Sequence, residues 1–344
     1  MTPDRLVGWV RPATRLGIRT ARNSGSQIIY SSGPPWSNHM VAGGIVAATR
    51  LPWVADFRDP WVGNAFRPGR NDDTWAGRKH RRLESEVYEN ADVVIFNTPR
   101  AMEDAVSRAG ERLANKSIVI PNGFDPALFE TQAADVTEDR AKKMPLTLVH
   151  PGGFYGKRNV DGLLQALGKM KRNGQLSERD LRLELIGADR PGRVREKEQI
   201  AKLQLEGIVN LSPPVPHEEC IARISQANVL LLVQTEAPLC VPGKLYEYIA
   251  IGKPVLTIST EGSTSDLVNA ECLGPCVDPD DAVGLEMAVR ELLDQHHAGQ
   301  LPKLDASISK RYDGRNQMAQ FDAVFRRAIG RSIESISASK GLRE

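Results

Sequence analysis

The sequence predicts an α/β protein built from two Rossmann-like domains in tandem, the first incomplete at its start. Three observations carry this. Short runs of Val, Ile, Leu and Phe alternate with helical patterns along most of the 344 residues. These runs lack the polar alternation of half-exposed strands, which suits parallel strands covered on both faces. The stretch 130–145, ETQAADVTEDRAKKMP, is charged and without apolar period, and it splits the runs into two series. The length suffices for two domains that each bury a core.

In the first series, QIIYSS (27–32), PWVADF (52–57), DVVIFN (92–97) and SIVIPN (117–122) read as strands. Helices are expected at about 37–49, 78–90 and 99–109. Thr98 is placed to cap the last of these, with Pro99 at its first position. In the second series the strands are LTLVH (146–150), LRLELIG (181–187), IVNL (208–211), VLLLVQ (229–234) and PVLTIS (254–259). Helices fall at about 160–173, 217–226, 243–251 and 281–295. In the first of them Val160, Leu163, Leu164, Leu167 and Met170 form one apolar stripe, and Gly174 is a natural stop. A last helix, 314–329, carries Met318, Phe321, Phe325 and Ile329 on one face. The expected domains are 1–140 and 146–310, followed by 311–344 with the last helix. The first domain opens on an arginine-rich helix where a doubly wound domain normally opens on a buried strand and a glycine turn.

Composition is that of an ordinary soluble protein, and a net charge of +2 implies no nucleic-acid partner. The charge is uneven. Arg5, Arg11, Arg15, Arg19 and Arg22 form one cluster, and Arg78, Lys79, Arg81 and Arg82 another. Such clusters are solvated faces, or they meet phosphates or an anionic membrane surface. Cys220, Cys240, Cys272 and Cys276 show neither CxxC nor zinc-ligand spacing, so a reduced cytosolic chain with no metal is expected. No signal peptide is read at the start. The most apolar window, 39–57, is broken by Arg50 and Pro52, so no membrane span is expected.

Two motifs carry chemistry. PGGFYGKRNVDGLLQAL (151–167) leaves the first strand of the second domain and enters a helix. Gly152, Gly153 and Gly156 permit close backbone approach, while Lys157, Arg158 and the helix N-terminus supply positive charge for a diphosphate. The spacing matches neither GxGxxG nor a P-loop. The plain alternative is a glycine turn with an exposed basic pair.

PGKLYEYIAIGKPVL (242–256) is the second motif. Pro242 and Gly243 open a helix whose free amides would face the crevice at the strand ends. Lys244 sits in the first turn, which the helix dipole disfavours unless an anion is near. Glu247, one turn on, is placed to accept hydrogen bonds from two vicinal hydroxyls. The alternative is a surface helix with solvated charges.

Together these motifs describe a nucleotide-sugar site. GKLYEYIAIGKPVL, PNGFD (121–125) and PWVADFRDPW (52–61) resemble the family-4, GT-B-type glycosyltransferases of bacterial polysaccharide synthesis. The resemblance implies two Rossmann-like domains facing across a cleft, with 146–310 as the nucleotide-sugar half and a last helix crossing back to the first domain. It implies that Arg158, with Lys157 beside it, neutralises the leaving diphosphate. It assigns Glu247 to the ribose and the backbone at Pro242–Gly243 to phosphate. Gly153 and Lys244 complete the donor set. Three positions depart from the family. Phe154 stands where an Arg is usual, Leu239 where the first of two paired Glu residues belongs, and Arg58 where many relatives have a strand-end His. Glu236 is the acid nearest to Leu239.

On the acceptor side, Asp56, Arg58 and Asp59 lie at the carboxyl end of a strand. They position an acceptor hydroxyl or contact the donor, or they form an internal ion pair. His39 is a second candidate or a structural hydrogen-bonder, and Trp36, Trp53 and Trp61 line a groove or belong to the core.

The reading implied is transfer of a sugar, with retention and without a metal or cofactor, from a nucleoside-diphosphate sugar to a saccharide or lipid-linked acceptor. The chain is expected in the cytoplasm, peripheral on the inner face of the membrane. A sugar-nucleotide epimerase of the same fold, and a catalytically silent partner of another transferase, stand as alternatives.

Overall fold

The computed structural model describes residues 2–65, 73–129, 144–154, 158–188 and 195–341, with side chains to residue 330. The chain forms two compact units, one of Met1–Asn122 with Arg315–Glu344, the other of Gly123–Gly314.

The first unit is a four-stranded parallel sheet in the order β1 (Ile29–Gly33), β2 (Trp53–Phe57), β3 (Val93–Phe96), β4 (Ser117–Val119). Strands β2 and β3 are buried along their whole length, as their unbroken apolar runs require. Helix α1 (Val10–Asn23) lies on α2 (Ser37–Thr49) through small residues: a Cβ on Gly44 would stand 2.7 Å from Thr14 Cγ2. Helix α3 (Trp75–Asn90) starts earlier than its apolar pattern suggests, because Thr74 caps it through the amide of Gly77. In α4 (Pro99–Ala109) Thr98 Oγ1 accepts from Ala101 N at 3.1 Å, with Pro99 in the first turn; a short α5 (Glu111–Ala114) follows.

In the second unit six parallel strands are ordered β10-β9-β8-β5-β6-β7. Their ranges are β5 (Leu146–Pro151), β6 (Leu181–Ile186), β7 (Val209–Ser212), β8 (Val229–Gln234), β9 (Val255–Ser259) and β10 (Cys276–Val277). The chain runs outward from β5 to β7 and then returns to β5's other side at β8. Such a reversal opens a crevice at the carboxyl ends of the two central strands, the usual ligand position in open α/β sheets. One face of the sheet is covered by α6 (Asp161–Arg172), α7 (Arg195–Lys202) and α11 (Ala282–Ala298), burying Leu148, Leu163, Leu183, Leu231 and Leu292. The other face holds α8 (His217–Gln226), α9 (Gly243–Ile251), α10 (Ser263–Ala270) and α12 (Ala306–Tyr312), with Leu230, Leu232, Leu245, Ile249 and Val268 buried beneath them.

The last helix, α13 (Gly314–Gly341), is longer than the pattern predicts and its inward stripe is shifted. Phe321, Val324 and Ala328 pack with Val54, Ile95 and Ile120, and Phe321 and Phe325 meet Tyr30 edge-on. Met318, expected on that face, is 60% exposed. Where the chain enters and leaves the second unit, Phe124 N donates to Tyr312 O at 3.1 Å and Gly314 N to Phe124 O at 3.0 Å. Among the described residues no helix is long and apolar enough to cross a membrane.

Candidate active site

Strand β5 ends at Pro151, and the chain then turns through Gly152 at φ +99°. A side chain there would be strained, and its Cβ would stand 3.2 Å from Lys244 Nζ. Lys244 reaches this point from the first turn of α9, and its Nζ donates to the Pro151 carbonyl at 2.7 Å. Arg158, only 9% exposed, adds a second positive charge beside it. Burial and then the Arg158 charge pull the Lys244 ammonium down to about 8, with Cys220 and Glu247 opposing. Two neighbouring cations, of which Lys244 holds its proton less tightly than an ordinary lysine, form an environment completed by an anion.

Helix α9 adds to this field. Pro242 is its N-cap, no side chain caps it, and its first turn holds no acid. Its leading amides therefore remain as donors. A Cβ on Gly243 would meet nothing within 4 Å, so the backbone there is open to approach. Leu245 and Ile249 are buried and fix the helix on the sheet, whereas Ile251 is only partly buried. One turn after Lys244, the half-buried Glu247 carboxylate lies 3.2 Å from His217 Nε2, through Oε1.

Behind the cations stands His150, the last polar side chain of β5. It is 2% exposed, its Nδ1 lies 2.9 Å from the Leu231 carbonyl, and its ring stacks on Phe154 at 4.8 Å. A carbonyl only accepts, so Nδ1 carries the proton. Burial, helped by Lys244 and Arg158, lowers this histidine to about 3, so it is neutral and adds no third charge.

Of the donor-side residues named from the sequence, Arg158, Lys244, Glu247, Pro242 and Gly243 surround the end of β5 and the start of α9, and Gly153 follows Gly152 in the same turn. Glu236 sits on the segment joining β8 to α9, partly buried. Lys157 lies outside the described residues. Sequence reasoning passed over His150 and His217. The signal for His150 was a polar residue closing an otherwise apolar strand; His217, first residue of a polar helix, gave none.

In the first unit the candidates form a tight internal cluster. Asp56 is 1% exposed and accepts from Tyr30 Oη at 2.6 Å and from Arg58 Nη1 at 3.3 Å. Arg58 also donates to the Ile120 carbonyl and to Asn122 Oδ1. Burial pushes the Asp56 carboxyl up, and Arg58 opposes this. The geometry is that of the internal ion pair, with Asp59 partly buried at the same strand end. His39, 1% exposed, is hydrogen-bonded inside the unit: its Nδ1 lies 2.8 Å from Ser31 Oγ, which also takes the Trp53 indole N–H at 2.8 Å. Burial lowers His39 to about 3. Trp53 and Trp61 are core residues, 1% and 0% exposed, so a groove lined by all three tryptophans is not present; Trp36 is partly buried.

The family model described as glycosyl transferases group 1 matches residues 132–311, just over half of the chain. The chain belongs to this family. A second model, the glycosyl transferase 4-like domain, matches residues 2–123. Among curated proteins, the D-inositol 3-phosphate glycosyltransferase of Corynebacterium diphtheriae is 25% identical over 241 residues, covering 68% of this chain. The match covers 55% of that relative, so the chain spans about half the length of the curated protein it matches. Two solved structures share the fold. Sucrose-phosphate synthase from Thermosynechococcus elongatus has a TM-score of 0.67 at 20% identity, over 96% of this chain and 80% of that one. HepE from Anabaena, in complex with UDP, has a TM-score of 0.68 at 18% identity, over 92% and 82%. These likenesses, with the two parallel α/β sheets, make the fold GT-B-type.

Proposed function

We propose that this member of the glycosyl transferases group 1 family moves a sugar from a nucleoside-diphosphate sugar to a saccharide or lipid-linked acceptor. The observation that carries the reading is the meeting of Lys244, Arg158 and the uncapped start of α9 at the end of β5, with Glu247 one turn further. Crystals of Anabaena HepE with UDP and with UDP-glucose support a uridine nucleotide as the first donor to test.

Departure of a nucleoside diphosphate builds negative charge on its leaving oxygen. Groups that hold that charge most strongly in the transition state accelerate the step. Lys244 and the α9 amides take the phosphates, Arg158 neutralises the departing oxygen with its sequence neighbour Lys157, and Glu247 accepts from the ribose hydroxyls. Retention of configuration and departure without a metal follow from the family resemblance and belong to the same proposal.

On the acceptor side, Asp59 is the proposed contact, next in the chain to the Arg58 of the Asp56–Arg58 pair. Exposed Arg11, Arg15 and Arg19 on α1, beside exposed Trp9 and Leu16, support attachment to an anionic cytoplasmic membrane face during cell-surface polysaccharide synthesis.

Calorimetry with UDP, GDP and their sugars tests the donor reading. Micromolar binding of one nucleotide is expected, with a loss of about 100-fold in Arg158→Ala or Glu247→Ala and no transfer by either. Wild-type turnover in either variant would sink the assignment.

A further inference from the structure

We propose that His217 is a positioning residue for Glu247. From the first turn of α8 its imidazole holds one carboxylate oxygen, leaving the other oriented for the nucleoside hydroxyls. The proposal rests on the donor reading above and extends it to a second helix.

The geometry is specific. His217 Nε2 stands 3.2 Å from Glu247 Oε1, across the gap between the start of α8 and the second turn of α9. Among the described residues, His217 is the side chain that hydrogen-bonds Glu247. The other charged or titratable groups around the carboxylate are engaged elsewhere or are not donors of this kind. Lys244, on its own helix, gives its ammonium to the Pro151 carbonyl. Arg158 acts on Lys244 from the turn after β5. Cys220, one turn into α8, has its thiol pushed up by burial and by the Glu247 charge, so it stays protonated and uncharged. Further along α8, Arg223 is paired with Glu219 at 2.6 Å.

A free glutamate carboxylate rotates about its last torsion and presents its two oxygens indifferently. Two vicinal hydroxyls donating to it require one fixed plane. An imidazole N–H donated to one carboxylate oxygen fixes that plane with a single hydrogen bond and leaves the other oxygen to accept from the sugar.

The test uses the full chain, with UDP and its 2′,3′-dideoxy analogue as probes, titrated by calorimetry. For the wild type, UDP should bind at least tenfold more tightly than the dideoxy analogue. His217→Ala should weaken UDP by about tenfold and leave the analogue within about twofold, so that the margin collapses. His217→Gln, whose amide N–H can occupy the same place, should restore most of the margin. With a sugar donor, His217→Ala should raise KM and leave kcat nearly unchanged. If His217→Ala keeps the wild-type preference for UDP over the analogue, the positioning role is wrong while the donor site stands. If the wild type favours neither probe, or binds none of the nucleotides in the donor screen above, the ribose assignment of Glu247 falls, and this role with it.

Discussion

Lys244 makes a quantitative case for an anion site. Its ammonium is held at about 8 against an ordinary value of 10.5. At 1.36 kcal/mol per unit, the fold disfavours the charged form by about 3 kcal/mol. Because the folded value lies below the unfolded one, the unfolded chain binds the extra proton between about pH 8 and 10.5. Stability therefore rises with pH across that window and carries the full cost below it. Replacement by Met keeps the apolar stem and removes the charge. It also loses the hydrogen bond to Pro151, worth about 1 kcal/mol. Lys244→Met should thus be more stable than wild type at pH 7, by about 2 kcal/mol, and should lose the rise between pH 8 and 10.5. Thermal unfolding followed against pH reads both effects.

A bound diphosphate reverses the balance. Its charge favours the ammonium, so nucleotide binding at about pH 8 should draw in about half a proton. Calorimetry in two buffers of different ionisation enthalpy measures that uptake directly. The Met variant should show none, and its affinity should be lower by about 100-fold. A wild type that binds nucleotide without proton uptake, or a Met variant no more stable than its parent, would refute the argument that this lysine is held in readiness for an anion.

Two further outcomes follow from buried groups. His39 and His150 are both held at about 3, so below pH 6.5 the unfolded chain takes up protons that the folded chain refuses; stability should fall by about 2 kcal/mol per histidine by pH 5, and His39→Asn should remove its share in an acid-unfolding series. Glu84, 1% exposed, accepts from Val62 N at 2.9 Å and pairs with Arg108; Arg108→Ala strands that carboxylate and should cost about 3–5 kcal/mol in denaturant unfolding, with Glu84→Gln in the same background recovering part of it.

Much of the fold is legible in the sequence because parallel strands buried on both faces write themselves as unbroken Val, Ile and Leu runs. The elements that escape are those held by tertiary contacts. Helix α10, STSDLVNA, is polar throughout its first turn and is fixed by Ser265 Oγ taking the Gly262 amide at 2.9 Å. Helix α7, REKEQIAK, buries little beyond Ile200 and Glu196, and β10 is two residues long. The stripe on α13 was misplaced because Met318 has the right period but Val324 and Ala328 meet the sheet.

The site shows the same division. PGKLYEY announces a helix start with a cation and an acid, so Lys244 and Glu247 are readable from neighbours in the chain. Their partners are not. Pro151 is 93 positions from Lys244, and His217 is 30 from Glu247, and no local pattern encodes either contact. At Asp56–Arg58 the sequence leaves an ion pair and a role at the site both open, and it does not encode the contacts with Tyr30, Ile120 and Asn122.

The isolated bridge between Phe124 and Asp313, with its hydrogen bonds at Tyr312 and Gly314, brings the entry and exit of the second unit to one spot. A unit whose ends adjoin is topologically an insert, and it can be removed or replaced by two cuts at a single place. Recombination between relatives would then exchange the whole second unit as one cassette, preserving the contacts of Lys244 with Pro151 and of Glu247 with His217. Variation confined to that unit becomes accessible to such a chain without a cut anywhere inside the first.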